Sequence, residues 1–477
     1  MSTRVVLFLV ASLLLAGCGS QPNARSGTVT LRIWYSTDDP VERIWSQQLA
    51  RGFEATHRGI QVRLTPYSFE DLNTKLQLAL SAGDPPDLAY VTPRGPGIPA
   101  YVGAHRLRDL TKAAQIHNWA SRLQPGLLAA YNQPFAFYGA QSRRVVAVPT
   151  SLAAVGILYN RRLLKRLHLA VPNSLGTFET ALARAKAAGY TPIGLGNGDG
   201  WLGDDWYLTL VNALVPPARL APAQRLSTGF SFRRPPFLEA GRLLQQWANR
   251  SYFSHDFGGL DAQEGVDLFF RGTTLFQLVS SSENAQILQD QEQTRLPVGL
   301  FAFPTHYPGT FTRSAGRPRE AVWAHGGDGA QRSISKPVYA GRVMPLSGYE
   351  GWVVPAQSQH PQEAIAFIDY LLSPSVARFL LGQGVLPAHN TTRDALLQTP
   401  IVRTRPWQRD YLQSLVGAQP GVYLDAAPVA NLNATMEANV QLLLQGYEAP
   451  EFLVKSLQEV YASHGNHGSS GRIDGEF

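Results

Sequence analysis

The sequence predicts an α/β protein of at least two lobes, each on a largely parallel sheet. Short runs of alternating apolar and polar residues trade places with longer runs at helical spacing, and this pattern begins again after residue 145. The chain has 477 residues, too many for one compact core.

The elements follow in order. Val29-Thr30-Leu31-Arg32-Ile33-Trp34 alternates as a strand does. Asp38-Asp39-Pro40 then offers a helix cap with proline in the first turn, and Ile44, Gln48, Leu49 and Phe53 continue at helical spacing. Residues 60–64 alternate again. Leu72, Leu76 and Leu80 form one stripe over residues 69–80, which Gly83 ends, and residues 87–91 make a third strand. The second round has strand-like segments at 145–148 and 154–159 on either side of Pro149-Thr150-Ser151. A helix at 178–188 and a short strand at 190–195 follow. Residues 206–214 and 237–249 read as helices, and 269–279 and 297–303 as extended. Later helices are predicted at 361–372, 375–382 and 450–462. Residues 304–343 are rich in Gly, Arg, Ser and Pro with little periodicity, as in a partly ordered surface excursion.

Composition narrows the function classes. The chain is 44% hydrophobic and 16% charged, which suits a folded body. Its formal charge of +7 comes mostly from arginines scattered singly or in pairs such as Arg143-Arg144, Arg161-Arg162 and Arg233-Arg234. No basic stripe forms, so nucleic acid is not an expected partner. The only cysteine is Cys18. It follows Arg4, an apolar run from Val5 to Leu15, and the small residues Ala16 and Gly17. That run is far short of the roughly 20 residues that span a bilayer, and it has the layout of an export signal. Leu15-Ala16-Gly17-Cys18 resembles the lipobox of bacterial lipoproteins, which implies cleavage after residue 17 and acylation of Cys18. Residues 18–27 then form a flexible tether, and residues 465–477 a polar tail.

Catalytic signatures are not found. HExxH, CxxC, GxSxG and the phosphate loop do not occur. His464 and His467 are the closest histidine pair and sit near the end of the chain, so no metal site or cofactor is expected. Gly194-Leu195-Gly196-Asn197-Gly198-Asp199-Gly200 has Asp199 where a dinucleotide loop needs glycine and Trp201 where a calcium loop needs oxygen. It reads as a mobile loop, with no helix directly after it, that lets backbone approach a ligand.

Aromatic residues do gather beside amides and carboxylates at expected strand ends. One group is Trp34, Tyr35, Ser36, Asp38 and Asp39, with Tyr67 at the end of the second strand. Another is Asn197, Asp199, Trp201, Asp204, Asp205 and Trp206, read as sharing one loop. A third is Gly348, Tyr349 and Glu350, just before Gly351-Trp352. Aromatic faces stack on the C–H face of a sugar ring, while carboxylates and amides bond its hydroxyls. Each tryptophan taken alone is more often a core residue than a ligand platform, and it is the three groups together that point to binding.

The order of motifs resembles the family-1 extracellular solute-binding proteins of ABC importers, carbohydrate-binding lipoproteins related to maltose-binding protein. The matching segments include Ala82-Gly-Asp-Pro-Pro-Asp87, Val148-Pro149, Gly156-Ile-Leu-Tyr159-Asn160, Phe270-Arg-Gly272, Gly348-Tyr-Glu-Gly-Trp352 and Pro361-Gln-Glu-Ala364. The resemblance implies a periplasmic-binding-protein-like type II fold. Two α/β lobes would flank a ligand cleft, joined by a hinge crossed near 150–154, 303–304 and 373. It divides the chain into 28–150 with 304–372, and 151–303 with 373–464. It also implies a monomeric, non-enzymatic receptor with a carbohydrate ligand, permease partners and a membrane anchor. Where relatives often carry a stacking Gly-x-Trp after Phe270-Arg-Gly272, this chain has Ser282, Glu283 and Asn284 as polar candidates. Pro428-Val429-Ala430-Asn431 also lacks an aromatic found in some relatives. A mono- or oligosaccharide, a polyol or a glycerophosphodiester therefore all remain open as ligand, and a secreted glycan-active enzyme or a surface-interaction protein remains open as function.

Overall fold

Leu31, Ile33 and Tyr35 are buried while Arg32, Trp34 and Ser36 between them are only half-buried, so the strand they form covers a core on one side. That strand, β1 (Val29–Ser36), opens the chain in a computed structural model. The structure describes residues 28–37, 40–91, 101–123, 127–132, 144–220, 222–223, 229–280, 284–305, 342–344, 346–347, 351–390, 409–410, 418–422, 424, 427, 429 and 431–465. After β1 come α1 (Pro40–Thr56), β2 (Ile60–Tyr67), α2 (Phe69–Ala82) and β3 (Leu88–Val91), in the expected order. In α2, Leu72, Leu76 and Leu80 are buried along one stripe. The Ser68 hydroxyl accepts from the Asp71 amide at its start, and Gly83 ends it at φ 81°.

β4 (Val148–Pro149) and β5 (Ser151–Asn160) stand on either side of Thr150. Then come α3 (Leu175–Ala187), β6 (Thr191–Gly194), α4 (Trp201–Leu214), α5 (Pro235–Asn249), α6 (Ala262–Leu268), β7 (Thr274–Ser280), β8 (Val298–Phe301) and β9 (Phe303–Pro304). The remaining labelled strands are β10 (Arg342–Met344), β11 (Leu346–Ser347), β12 (Gly351–Val353), β13 (Leu386–Pro387) and β14 (Ala418–Pro420). The remaining labelled helices are α7 (Pro361–Leu371), α8 (Pro374–Gly382), α9 (Leu432–Leu444) and α10 (Pro450–Gly465).

Two main sheets result. The first has the order β2-β1-β3-β12-β4, with β1, β2 and β3 parallel and β12 antiparallel to both β3 and β4. The second has the order β11-β5-β7-β6, with β8 and β13 also on β5. A small third sheet pairs β9, β10 and β14. The expected two-lobed α/β architecture is present.

The first core is largely aliphatic, with Leu31, Ile33, Leu88, Ile368, Leu371 and Val376 around Phe53. The second centres on Phe178, Trp206, Trp247, Phe276 and Phe303. A third cluster, including Leu158, Val279, Leu300, Leu381 and Leu386, lies where α8 and β13 meet the second sheet.

Several local expectations change. α4 begins at Trp201 rather than 206, directly after the glycine-rich segment. Residues 269–273, expected extended, form a π-helical turn continuing α6 until Gly272 breaks it at φ 87°. α6 itself carries a capping box of Asp261 and Glu264, a signal present in the sequence. α9 follows the stripe Leu432, Met436, Val440 and Leu443, which also reads at helical spacing.

The points at which the chain passes from one sheet to the other also differ from those expected. Thr150 lies at the first. Phe303 packs in the second-lobe core, and β9 pairs β10, so the return expected at 303–304 comes later, between β11 on β5 and β12 in the first sheet. At the expected 373 boundary, α8 places Val376 and Leu380 in the first-lobe core and Leu381 in the third cluster.

Candidate functional site

Strand direction brings two sheet edges together. β4 runs parallel to β3, because both are antiparallel to β12, so its carboxyl end lies on the same edge as those of β1, β2 and β3. One residue later the chain enters β5. β7 is antiparallel to β5 and ends at Ser280, opposite Val155 near the start of β5, and β6 runs parallel to β7. The carboxyl ends of the parallel strands in both sheets therefore converge on the crossing at Thr150. Ligands of open α/β sheets bind at such edges.

On the first lobe, Trp34 and Ser36 lie on the half-buried face of β1. Tyr67 ends β2 opposite Ser36, and its ring meets the Trp34 ring edge-on at 5.2 Å. The Thr37 amide donates to the Tyr67 carbonyl at 2.9 Å. Two cations not singled out in the sequence join this edge. Lys75 Nζ stands 5.6 Å from the Tyr67 ring centroid, and Arg43 Nη2 donates to the Thr37 carbonyl at 3.5 Å. Tyr35 departs from expectation. Alternation turns it to the core face, where it is buried, and burial foremost, with Glu42 next, raises its hydroxyl pKa. Asp38 and Asp39 lie outside the described residues.

On the second lobe, the glycine-rich segment follows β6 and proves firmly tied. The Asn197 amide donates to the Phe257 carbonyl at 2.7 Å, and the Gly198 amide to the Leu260 carbonyl at 2.7 Å. A Cβ on Gly196 would stand 1.7 Å from the Asp261 carbonyl oxygen, and one on Gly265 would stand 2.5 Å from the Gly196 nitrogen. These glycines permit close backbone approach to α6, so the segment is not the mobile ligand loop expected. Asn197 is buried, and its Oδ1 accepts from the Gly203 amide at 2.6 Å. Asp199 is exposed, with the Ala262 amide 3.4 Å from its Oδ2. Gly200, at φ 84°, turns the chain into Trp201, which is half-buried as the first residue of α4.

Beyond Trp201, residues 202–213 of α4 are all buried. Asp204 and Asp205 lie inside the lobe with Trp206. Burial foremost, and the neighbouring Asp204 carboxylate, raise the Tyr207 hydroxyl pKa. Trp206 has no exposed surface and packs against Trp247 at 5.8 Å and Phe178 at 6.1 Å between ring centroids. The sequence group at 197–206 is thus split. Asp199 and Trp201 reach the edge, whereas Trp206 is a core residue because α4 is wrapped on every side.

Ser282 and Glu283 lie outside the described residues, as do Gly348, Tyr349, Glu350 and Cys18. Asn284 begins a helix (Asn284–Thr294), but its side chain is also outside them. Among the described residues no group of three or more His, Cys, Asp or Glu side chains could hold a metal ion. No single described helix is long and apolar enough to cross a membrane. A concavity of about 720 Å³, lined by Tyr190, Phe253, His255, Asp256, Phe257 and Tyr447 among others, lies beside β6, from Tyr190 before its first residue to Phe257, whose carbonyl accepts from the Asn197 amide.

The family model described as "Bacterial extracellular solute-binding protein" matches residues 38–378. The chain belongs to this family. Two relatives sharpen its place there. The Melibiose/raffinose/stachyose-binding protein MelE of Bacillus subtilis is 24% identical over 316 residues, 65% of this chain and 70% of that protein. A "Multiple sugar-binding protein" of Streptococcus mutans is 24% identical over 192 residues, 40% of this chain and 42% of that protein. Among solved structures, a chitin oligosaccharide binding protein superposes with a TM-score of 0.72 at 19% identity, covering 92% of this chain and 99% of that one. RafE in complex with raffinose gives a TM-score of 0.65 at 18% identity, covering 91% and 99%. These likenesses establish the fold, and each of the four proteins is named for binding rather than catalysis.

Proposed function

We propose that this protein is a lipid-anchored receptor that binds a carbohydrate between its lobes and delivers it to the permease of an ABC importer. The observation that carries the reading is the pairing of aromatic and polar groups at converging sheet edges. Trp34, Ser36 and Tyr67 lie on one lobe, and Asp199 and Trp201 on the other. Half-buried rings beside hydroxyl and carboxylate groups suit a sugar, whose apolar face stacks while its hydroxyls bond. The sugar-binding names of the relatives support the same class. In this reading closure buries the ligand, and the closed form is the one the permease accepts. Residues 28–150 and 351–380 then act as the first lobe, residues 151–304 and 418–465 as the second, and Cys18 carries the anchor. Ser282, Glu283, Asn284, Gly348, Tyr349, Glu350, Asp38 and Asp39 are further candidates at the ligand.

One observation favours a second ligand class. Lys75 and Arg43 bring positive charge to the first-lobe edge, which suits a glycerophosphodiester or another anionic polyol. Thermal melts should include raffinose, stachyose, melibiose, chitin oligosaccharides and a glycerophosphodiester. A true ligand at ~100 times its dissociation constant stabilises by about 2.7 kcal/mol. Trp34→Ala and Trp201→Ala should each weaken the bound member by about three- to tenfold. If no member of the panel raises the melting temperature, the carbohydrate reading falls. In the native host, Cys18→Ser should move the protein from the membrane fraction to the soluble one.

A further inference from the structure

Two of the segments that join the lobes meet at Thr150. It is the single residue between β4 of the first sheet and β5 of the second. Its hydroxyl accepts from the Trp352 indole N–H at 3.0 Å, and its carbonyl accepts from the Ala388 amide at 3.0 Å. Trp352 belongs to β12, where it pairs Val148 of β4 and Tyr90 of β3. Its ring lies against the Tyr90 ring at 4.9 Å, so the donor is held by the first lobe. Past Thr150, Ser151 and Leu152 pair antiparallel with Pro387 and Leu386. Past Ala388, His389 bridges to Leu123, and the Asn390 amide donates to the Arg122 carbonyl at 2.7 Å. Two strands thus leave the first lobe side by side, each fastened on the first-lobe side of the same level.

We propose that the Trp352–Thr150 hydrogen bond is the hinge pin of lobe closure. It holds Thr150 within the first rigid body, so that at this pair of strands rotation is confined to the steps 150/151 and 387/388. Thr150 is a positioning residue in this scheme, since it acts on the angle between the lobes and touches no ligand. The inference rests on the two-lobed receptor reading. The physical basis is directional. A hydrogen bond weakens steeply away from its preferred angle, so one donor fixed in β12 favours one orientation of the Thr150 side chain and of the peptide after it. With the bond removed, the 150/151 step gains freedom and the spread of lobe angles grows.

Cys18 is the chain's only cysteine, so a Cys18→Ser background accepts two spin labels cleanly. Leu78→Cys on α2 and Phe452→Cys on α10 place them at residues 64% and 48% exposed, one per lobe. Pulsed electron-spin distance measurements on the ligand-free protein then read the lobe angle directly. Thr150→Val and Trp352→Phe should each raise the population outside the main distance peak by about three- to tenfold. Thr150→Ser keeps the acceptor and should restore the wild-type distribution. Wild-type distributions in both Thr150→Val and Trp352→Phe would overturn the proposal, as would a broadened Thr150→Ser. Thermal melts of each variant separate unfolding from hinge loosening. The ligand-free readout also separates the two readings. If the variants broaden while no sugar in the panel binds, the hinge pin stands and the carbohydrate reading fails.

Discussion

The two lobes differ in how much of their interior is aromatic. In the first, the core beneath the sheet is built largely from Leu, Ile and Val, with Phe53, Phe367 and Trp119 as its buried rings, while Trp34 and Tyr67 stand at its carboxyl edge. In the second, the rings fill the interior, where Phe178 contacts Trp206, Trp247, Phe276 and Phe303. Both lobes carry the same local text of tryptophan and aspartate after a strand. The packing of the next element decides the outcome. After β6 the chain enters α4 at Trp201, and α5, α9 and β9 pack around that helix. Only its first residue and the turn before it reach the edge.

The sharpest way to break this comparison is to truncate one ring on each side. Trp206→Ala removes a fully buried indole and should destabilise the protein by about 3–5 kcal/mol in urea unfolding, whatever ligand is present. Trp34→Ala, at a half-buried edge position, should lose ligand affinity with a much smaller effect on unfolding. If Trp206→Ala unfolds like the wild type and loses only ligand, the second lobe's rings belong to the cleft after all.

A smaller effect is expected where the first lobe replaces bulk with hydrogen bonds. Asp87 is fully buried at the start of β3. Its Oδ2 accepts from the Arg32 amide at 2.9 Å, and its Oδ1 accepts from the Ser358 hydroxyl and the Gln359 and His360 amides, each at 3.0 Å. One carboxylate thus ties β1 to the turn that starts α7. Asp87→Ala leaves those donors without their acceptor and should cost about 2–3 kcal/mol, measured again by urea unfolding. A neutral result would mean that the turn before α7 holds itself.

These contrasts also explain what the sequence could and could not reveal. β1, α1, β2 and α2 were legible because their burial alternates or repeats at 3.6 residues, and local period is a property of sequence. The early start of α4 was not. Gly200 and Trp201 give no capping signal, and the helix exists because the second lobe wraps it. The fate of Gly194, Gly196 and Gly198 was hidden for a similar reason, since their partners are the Gln277 side chain and the backbone of residues 260–265, more than 60 positions away. Of the candidate residues named from sequence, Trp34, Tyr67, Asp199 and Trp201 stand at the sheet edges. The sequence groups them with Tyr35 and Trp206, because adjacency in sequence does not tell which side chain turns inward. In sequence Lys75 and Arg43 are ordinary surface charges on helices, and only the fold brings them to Tyr67 and Thr37.

The smallest expected effect tests whether the lobes differ in acid as they do in packing. His389 follows Ala388, which bonds Thr150, and bridges to Leu123; it is 8% exposed, and its pKa is lowered first by burial and then by the positive charges of Arg122 and Arg378. Well above pH 6.5 it is uncharged in both folded and unfolded chains and contributes no pH dependence. As pH falls through about 6.5, the unfolded chain takes up a proton that the folded site resists. Protons then favour the unfolded state, so stability falls until the folded pKa is reached and levels off below it. His389→Gln should flatten this part of the profile in urea unfolding measured from pH 7.5 down to 5. If the lobes unfold in separate transitions, the His389-dependent slope should appear in the first lobe's transition alone. A slope shared equally by both would mean that the crossing strands transmit the loss, making the hinge and the two cores one cooperative unit.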